Sequence, residues 1–175
     1  MTSALHQITV TFVAEEDRLL LRVSTADKTE FRFWLTRRFV RVLWSALIKT
    51  IENEPGVNRP ALPTAKQAVM AMEHQEAVGA SDFSRAHDRG HRNVTEGSGP
   101  LLVTGGSVVP GKGGGITNLI LQTRGGTEVN LALNKNLLHA LCRLLIETTM
   151  HAGWDLGLTV GDAAQVLPGD RTRVH

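Results

Sequence analysis

The stretch TEFRFWLTRRFVRVLWSALIKTI at residues 29–51 decides the fold, because residues 127–149 repeat it as TEVNLALNKNLLHALCRLLIETT. The two segments align without a gap at an offset of 98 and are identical at seven of 23 positions. Chance similarity between two amphipathic segments is the alternative. We favour an internal duplication, because the apolar period changes from strand to helix at the same place in both copies.

That change of period defines the repeat. Phe31, Phe33 and Leu35 occupy every second position, which is the spacing of a strand. Thr36 follows, Asn134 takes the same place in the second copy, and both are good helix N-cap residues. Two more strand-like segments precede each copy. Each repeat is therefore predicted as strand–strand–strand–helix, over residues 6–52 and 100–151.

The two repeat helices indicate how the copies pack. Apolar residues cover about two-thirds of each helix, whereas one sheet face needs an apolar stripe of only about 100°. The excess must be buried elsewhere. We predict an α+β fold in which two βββα repeats pack through their helices as a pseudo-twofold dimer. A true homo-oligomer is the competing explanation, and both can hold together.

The rest of the chain is predicted to connect and follow the repeats. Residues 53–99 contain prolines and read as a linker with one helix at about residues 64–78, capped by Thr64, and a mobile polar stretch. Residues 152–175 form a C-terminal tail with little pattern.

Charge and cysteine content narrow the class of protein. The net charge is +2, and Cys142 is the single cysteine, so a disulfide within the chain is excluded. The N-terminus lacks the basic start and long apolar run of a signal peptide, and no apolar run is long enough to span a bilayer. We therefore expect a soluble cytoplasmic protein that does not enter membranes.

The glycine-rich segment at residues 105–115 resembles a phosphate-binding loop, since Gly106 to Lys112 matches G-x-x-x-x-G-K. Such a loop needs Ser or Thr after the lysine and a helix that begins there. Gly113 follows Lys112 instead, and the next segment is strand-like. A long hairpin loop is therefore the prediction.

Four further residues are candidates for reactive or metal-binding groups. His87 and His91 are four apart, but Gly90 interrupts any helix between them, which favours a solvated loop. His139 lies on the polar arc of its helix and is predicted at the surface. Cys142 lies on an apolar face and is predicted as a buried structural thiol. We expect no catalytic residue, metal or cofactor.

One sheet face carries groups that suit nucleic acid. Arg22, Arg32 and Trp34 share the outward parity of the first repeat, and basic groups beside an aromatic ring suit stacked single-stranded bases and their phosphates. The order of elements is similar to single-strand-binding proteins of the Whirly and Pur-alpha kind, whose sheet–helix repeats pair through their helices. The alternative is that the linker helix or a partner subunit covers Trp34.

The sequence therefore favours a non-enzymatic binding or adaptor protein that acts as a homo-oligomer. Its expected partners are a second copy of itself and another protein. Single-stranded nucleic-acid binding through the face of Arg22, Arg32 and Trp34 is the alternative. An enzyme is the third hypothesis, because no constellation of catalytic residues stands out.

Overall fold

The computed structural model describes residues 5–59, 62–81, 92–93 and 99–162. The described residues form an α+β fold, as predicted, with these elements: β1 (Leu5–Val13), β2 (Arg18–Thr25), β3 (Thr29–Leu35), α1 (Arg37–Glu52), α2 (Pro63–Gly79), β4 (Arg92–Asn93), β5 (Leu101–Pro110), β6 (Ile116–Thr123), β7 (Glu128–Asn134) and α3 (Lys135–His151).

The strands form one sheet in the order β1-β2-β3-β5-β6-β7, and the short β4 pairs with β3. Pairing is antiparallel within the triplet β1–β3 and within the triplet β5–β7. The triplets join where β3 runs parallel to β5, with Phe33 opposite Leu101 and Trp34 opposite Leu102. β1 and β7 also touch, so the sheet curls until its two ends meet.

The two triplets have the same register at the offset of 98. Leu21 lies opposite Phe33 in the first triplet, and Leu119 lies opposite Leu131 in the second. Every pair between β2 and β3 has such a counterpart between β6 and β7. The correspondence seen in the sequence therefore extends to the hydrogen-bonded pairing of the backbone.

Irregular features recur at the same offset. The register shifts just after Leu5 in β1 and just after Val103 in β5. Thr36 and Asn134 cap α1 and α3, and each side chain accepts a hydrogen bond from the backbone N–H three residues on. Both predicted N-caps are confirmed.

The helices of the two repeats pack mainly on strands. α1 lies against β5, α3 lies against β1, and α2 lies against α3. Each repeat helix therefore covers the first strand of the other triplet. The predicted pairing of the two repeat helices with each other is not confirmed by these contacts.

One hydrophobic core joins both triplets and all three helices. Its helix residues include Leu43, which is 5 % exposed, and Leu141, which is 1 % exposed. Cys142 is fully buried, as predicted. Its sheet residues include Leu19, Leu21, Val23, Phe33, Leu35, Leu119, Leu121, Leu131 and Leu133.

One sequence prediction about the connecting segments needs correction. Thr64 does not cap α2: Leu62 is the N-cap without a side-chain bond, and Pro63 begins the helix because its fixed φ suits the first turn. The tail is packed as far as Asp162, whose backbone N–H donates to the carbonyl of Gln67. The predicted mobile stretch and His87 and His91 lie outside the described residues, apart from β4.

None of the described helices combines the length and the apolar character needed to cross a bilayer.

Candidate functional site

Strand pairing gathers the three predicted site residues on one surface. Arg22 lies directly opposite Arg32, and Leu20 lies opposite Trp34. Alternation along a strand points all four side chains away from the core. We call this surface, with Arg18 at its end, the basic face. Trp34 is half-buried, so it is neither fully open nor fully covered.

A buried carboxylate holds the two central arginines. Glu30 is 2 % exposed, and its Oε1 accepts from Arg22 Nη2 at 3.2 Å and from Arg32 Nε at 2.7 Å. One negative charge thus faces two positive charges. Within the described part of the chain, the terminal Nη nitrogens of Arg32 have no hydrogen-bond partner. They remain able to bind an anion.

Sequence reasoning missed this role of Glu30. The signal was present, because Glu30 shares the parity of Arg32 and lies one cross-strand diagonal from Arg22. The pairing of β2 with β3 was needed to recognise it.

The corresponding surface of the second triplet is different in character. At the offset of 98, Arg18, Arg22, Arg32 and Trp34 are replaced by Ile116, Ile120, Asn130 and Ala132. We call this surface, together with Val109, the neutral face. Val109 is 44 % exposed and Ile116 is 45 % exposed. The two triplets therefore present one basic outer surface and one partly apolar outer surface. On the second surface, the exposed Glu128 has the same strand parity as Asn130 and Ala132, and it accepts a hydrogen bond from Gln122 at the end of β7 away from Ile116.

A groove of about 520 Å³ runs between α1 and β5, and we call it the α1–β5 groove. Its strand wall is formed by seven consecutive residues, 102–108. Successive side chains point to opposite faces, so consecutive lining residues mean that the groove meets the edge of β5. Its helix wall is formed by Thr36, Arg38, Phe39, Val42, Leu43 and Ala46.

The edge of β5 in this groove is unpaired in the part of the chain that the structure describes. β3 ends at Leu35, so the last residue of β5 that pairs with it is Leu102. From Val103 onward, β5 pairs only with β6 on its other side.

A matching groove of about 360 Å³ lies between α3 and β1. Its walls include Leu5 to Thr9 and Asn136, Leu137, Ala140 and Leu144, the counterparts of residues in the α1–β5 groove. Here Ala80 and Ser81, at the end of α2, also form part of the wall. His6 and Gln7 are engaged in further interactions. The chain therefore partly closes this groove itself.

A polar cluster lies where α2, α3 and the end of α1 meet. The Nε2 atom of His139 is 3.2 Å from Glu54 Oε1, and its Nδ1 atom is 3.0 Å from His74 Nδ1. His139 is fully buried, so its predicted surface position is wrong. The reason is that α2 packs over the polar arc of α3.

Burial and nearby positive charges set the protonation of His74 in this cluster. Desolvation, followed by repulsion from His139 and Arg143, lowers the pKa of His74 to about 4. His74 is therefore neutral at pH 7. Burial also raises the pKa of Cys142, so its thiol stays protonated.

A cavity of about 330 Å³ lies beside the cluster and is lined by Glu54, Lys135 and the glycine-rich loop. Lys135 also binds Glu73, and the charges of the cavity are thus paired within the protein. No group of three or more metal-binding side chains is found in the described ranges.

The glycine-rich segment forms a hairpin, as predicted, but its loop is shorter than expected. Residues 105–110 pair with β6 as part of β5, and only residues 111–115 connect the two strands. The N–H of Gly111 donates to the carbonyl of Ile116 at 2.6 Å, and a strand rather than a helix follows. A Cβ atom on Gly106 would lie 2.4 Å from the carbonyl oxygen of Ile120. Both glycines therefore allow close approach of the two strands.

Comparison with known proteins gives no relative: no family model, no curated protein and no solved structure matches this chain.

Proposed function

We propose that this protein is a non-enzymatic binding or adaptor protein that acts as a homo-oligomer in the cytoplasm. The neutral face carries this proposal. Val109 and Ile116 expose apolar surface there, and Ile120, Asn130 and Ala132 add no charge that would have to be desolvated. The charged Glu128 lies beyond Asn130, at the end of β7 away from Ile116. Interface cores are depleted in charged residues in the same way.

We also infer that the chain arose by duplication of one βββα repeat, with the copies related by a pseudo-twofold axis. The equal register, the bulges after Leu5 and Val103, and the caps Thr36 and Asn134 support this inference. The reciprocal packing of α1 on β5 and α3 on β1 supports the twofold relation. The outer faces then diverged, and only the second became neutral.

Light scattering after size exclusion tests self-association. We expect an oligomer for the natural protein and a monomer for Ile116→Glu, because the substitution places a charge in the proposed interface. Arg18→Glu alters the corresponding position on the basic face and should leave the mass unchanged. A monomeric natural protein, or an oligomeric Ile116→Glu variant, would contradict the proposal.

Single-stranded nucleic-acid binding by the basic face is the second candidate. Glu30 holds Arg32 through its Nε atom, and the unpaired Nη groups are left beside half-buried Trp34. This arrangement suits a phosphate next to a stacked base. The second triplet offers Asn130 and Ala132 at these positions, so binding is expected on one face only.

A fluorescence anisotropy titration with labelled oligothymidine at low salt tests this candidate. Trp34→Ala should weaken binding about tenfold, because stacking on one aromatic ring contributes about 1–3 kcal/mol. Arg32→Ala should also reduce the salt dependence, since one fewer phosphate contact releases fewer counterions. Asn130→Ala, at the position corresponding to Arg32, is the control. Equal affinity of all four proteins would eliminate the basic face as the binding surface.

A further inference from the structure

We propose that the α1–β5 groove binds an extended segment of a partner polypeptide, which joins the sheet as a strand beside β5 and carries an acidic side chain near the start of α1. This surface is separate from the neutral face and the basic face, so the inference goes beyond self-association and nucleic-acid binding.

The first argument is the geometry of the sheet. β3 leaves the sheet at Leu35, turns at Thr36 and continues as α1. β5 runs on past that point, and its edge from Val103 has no partner strand in the residues described. The unpaired edge beyond Leu102 therefore borders the α1–β5 groove, beside the residues of α1 that contact β5. Unpaired strand edges bind extended peptides through backbone hydrogen bonds.

The second argument is the apolar wall opposite that edge. Val42 is 63 % exposed although α1 contributes to the core, and it lines the groove with Phe39 and Ala46. Every second side chain of an added strand would face this wall. Apolar residues at alternate positions of the segment would bury Val42 and themselves.

The third argument is charge. Arg38 lines the groove and forms no ion pair within the described residues. The first turn of α1 contains no acidic residue, so the positive end of the helix adds to this charge. The matching position in the α3–β1 groove is Asn136. The α1–β5 groove therefore favours a segment with an acidic residue at this end.

Comparison with the α3–β1 groove shows that the two grooves are not equally occupied by the described residues. Ala80 and Ser81 line the α3–β1 groove, and the Ser81 hydroxyl lies 3.5 Å from the carbonyl of Asn136. No residue of α2 lines the α1–β5 groove. The α3–β1 groove is thus partly filled by the end of α2, whereas no segment among the described residues fills the α1–β5 groove.

The test uses the full chain and a synthetic seven-residue peptide of alternating valine and threonine with two glutamates at one end. We expect saturable binding, with amide shifts in heteronuclear NMR spectra concentrated at residues 103–108, which line the groove. Arg38→Glu should weaken binding about threefold to tenfold, since it replaces attraction at an exposed pair by repulsion. Arg41→Glu, on the same helix but outside the groove lining, should leave the affinity unchanged.

A second peptide, N-methylated at every backbone nitrogen, tests strand addition itself and should not bind. Equal binding of this peptide would overturn the proposal, because neither of its edges can donate the hydrogen bonds of a ladder. Concentration-dependent shifts of residues 103–108, which line the groove, without peptide would show that a second copy of this chain fills it. The same shifts on adding oligothymidine would assign it to nucleic acid. Either result would replace the proposed occupant.

Discussion

The contact between His74 and His139 shows how a single residue can tie α2 to the rest of the fold. The two rings meet through their Nδ1 atoms, and Glu54 lies on the far side of His139. The carboxylate can accept only from a protonated Nε2 of His139. His74 completes this series of side-chain contacts as a neutral ring, since its pKa is lowered to about 4.

This low pKa predicts acid sensitivity. Unfolded His74 has its ordinary pKa of 6.5, and the folded value of about 4 means that the unfolded chain binds the proton more readily. The unfolding free energy should therefore fall as pH decreases from about 6.5 to about 4. Urea unfolding across this range measures the slope. His74→Gln should flatten it, and His151→Gln, at an exposed position, should not. Identical slopes for all three proteins would refute the assignment.

Leu43 and Leu141 give a prediction about packing at equivalent positions. Both are nearly or fully buried, at 5 % and 1 % exposure. Truncation of either to alanine should lower the unfolding free energy by about 2–5 kcal/mol, because each leaves a cavity. Chemical denaturation measures the loss. Val42→Ala, on the exposed side of α1, should change stability by less than about 0.5 kcal/mol. Small effects at both leucines would show that the core is misassigned.

At the scale of elements, periodicity predicted the strand triplets, the helix that follows each and both N-caps. Periodicity could not predict what covers each helix. An apolar stripe indicates that a helix surface is buried, but it does not indicate which element buries it. Packing of α1 on β5 and of α3 on β1 follows from the order of strands in the sheet. The same limit explains His139, whose polar arc is covered by α2.

The candidate surfaces were predicted to different degrees. Strand parity was enough to place Arg22, Arg32 and Trp34 together. Glu30 needed the pairing between strands, and the α1–β5 groove needed the point where β3 leaves the sheet. Features set by parity within one strand are readable from sequence, whereas those set by strand order are not.

The hairpin of β5 and β6 gives a prediction at this scale. Gly106→Ala would place Cβ 2.4 Å from the carbonyl oxygen of Ile120 and force the strands apart. We expect a loss of about 1–3 kcal/mol of stability. Gly125→Ala is the control, because nothing lies within 4 Å of its added Cβ. Thermal unfolding of both variants measures the difference, and equal midpoints would argue against this strand contact.

At the scale of the whole molecule, reciprocal packing predicts that neither repeat folds alone. A fragment of residues 1–60 leaves α1 without β5, and a fragment of residues 92–175 leaves α3 without β1. Circular dichroism should show little stable structure in either fragment. A mixture of the two should regain helix content and unfold cooperatively. Cooperative unfolding of one isolated fragment would contradict the prediction.

Reciprocal packing also has a consequence for synthesis on the ribosome. α3 leaves the ribosome long after β1, so the strand on which α3 packs has already been synthesised. α1 ends at Glu52, and β5 begins only at Leu101. At about 5–20 residues per second, roughly 2–10 s pass before that strand exists. Through this interval α1 lacks β5, the strand against which it mainly packs. The nascent first repeat is therefore the stage at which a chaperone would be needed.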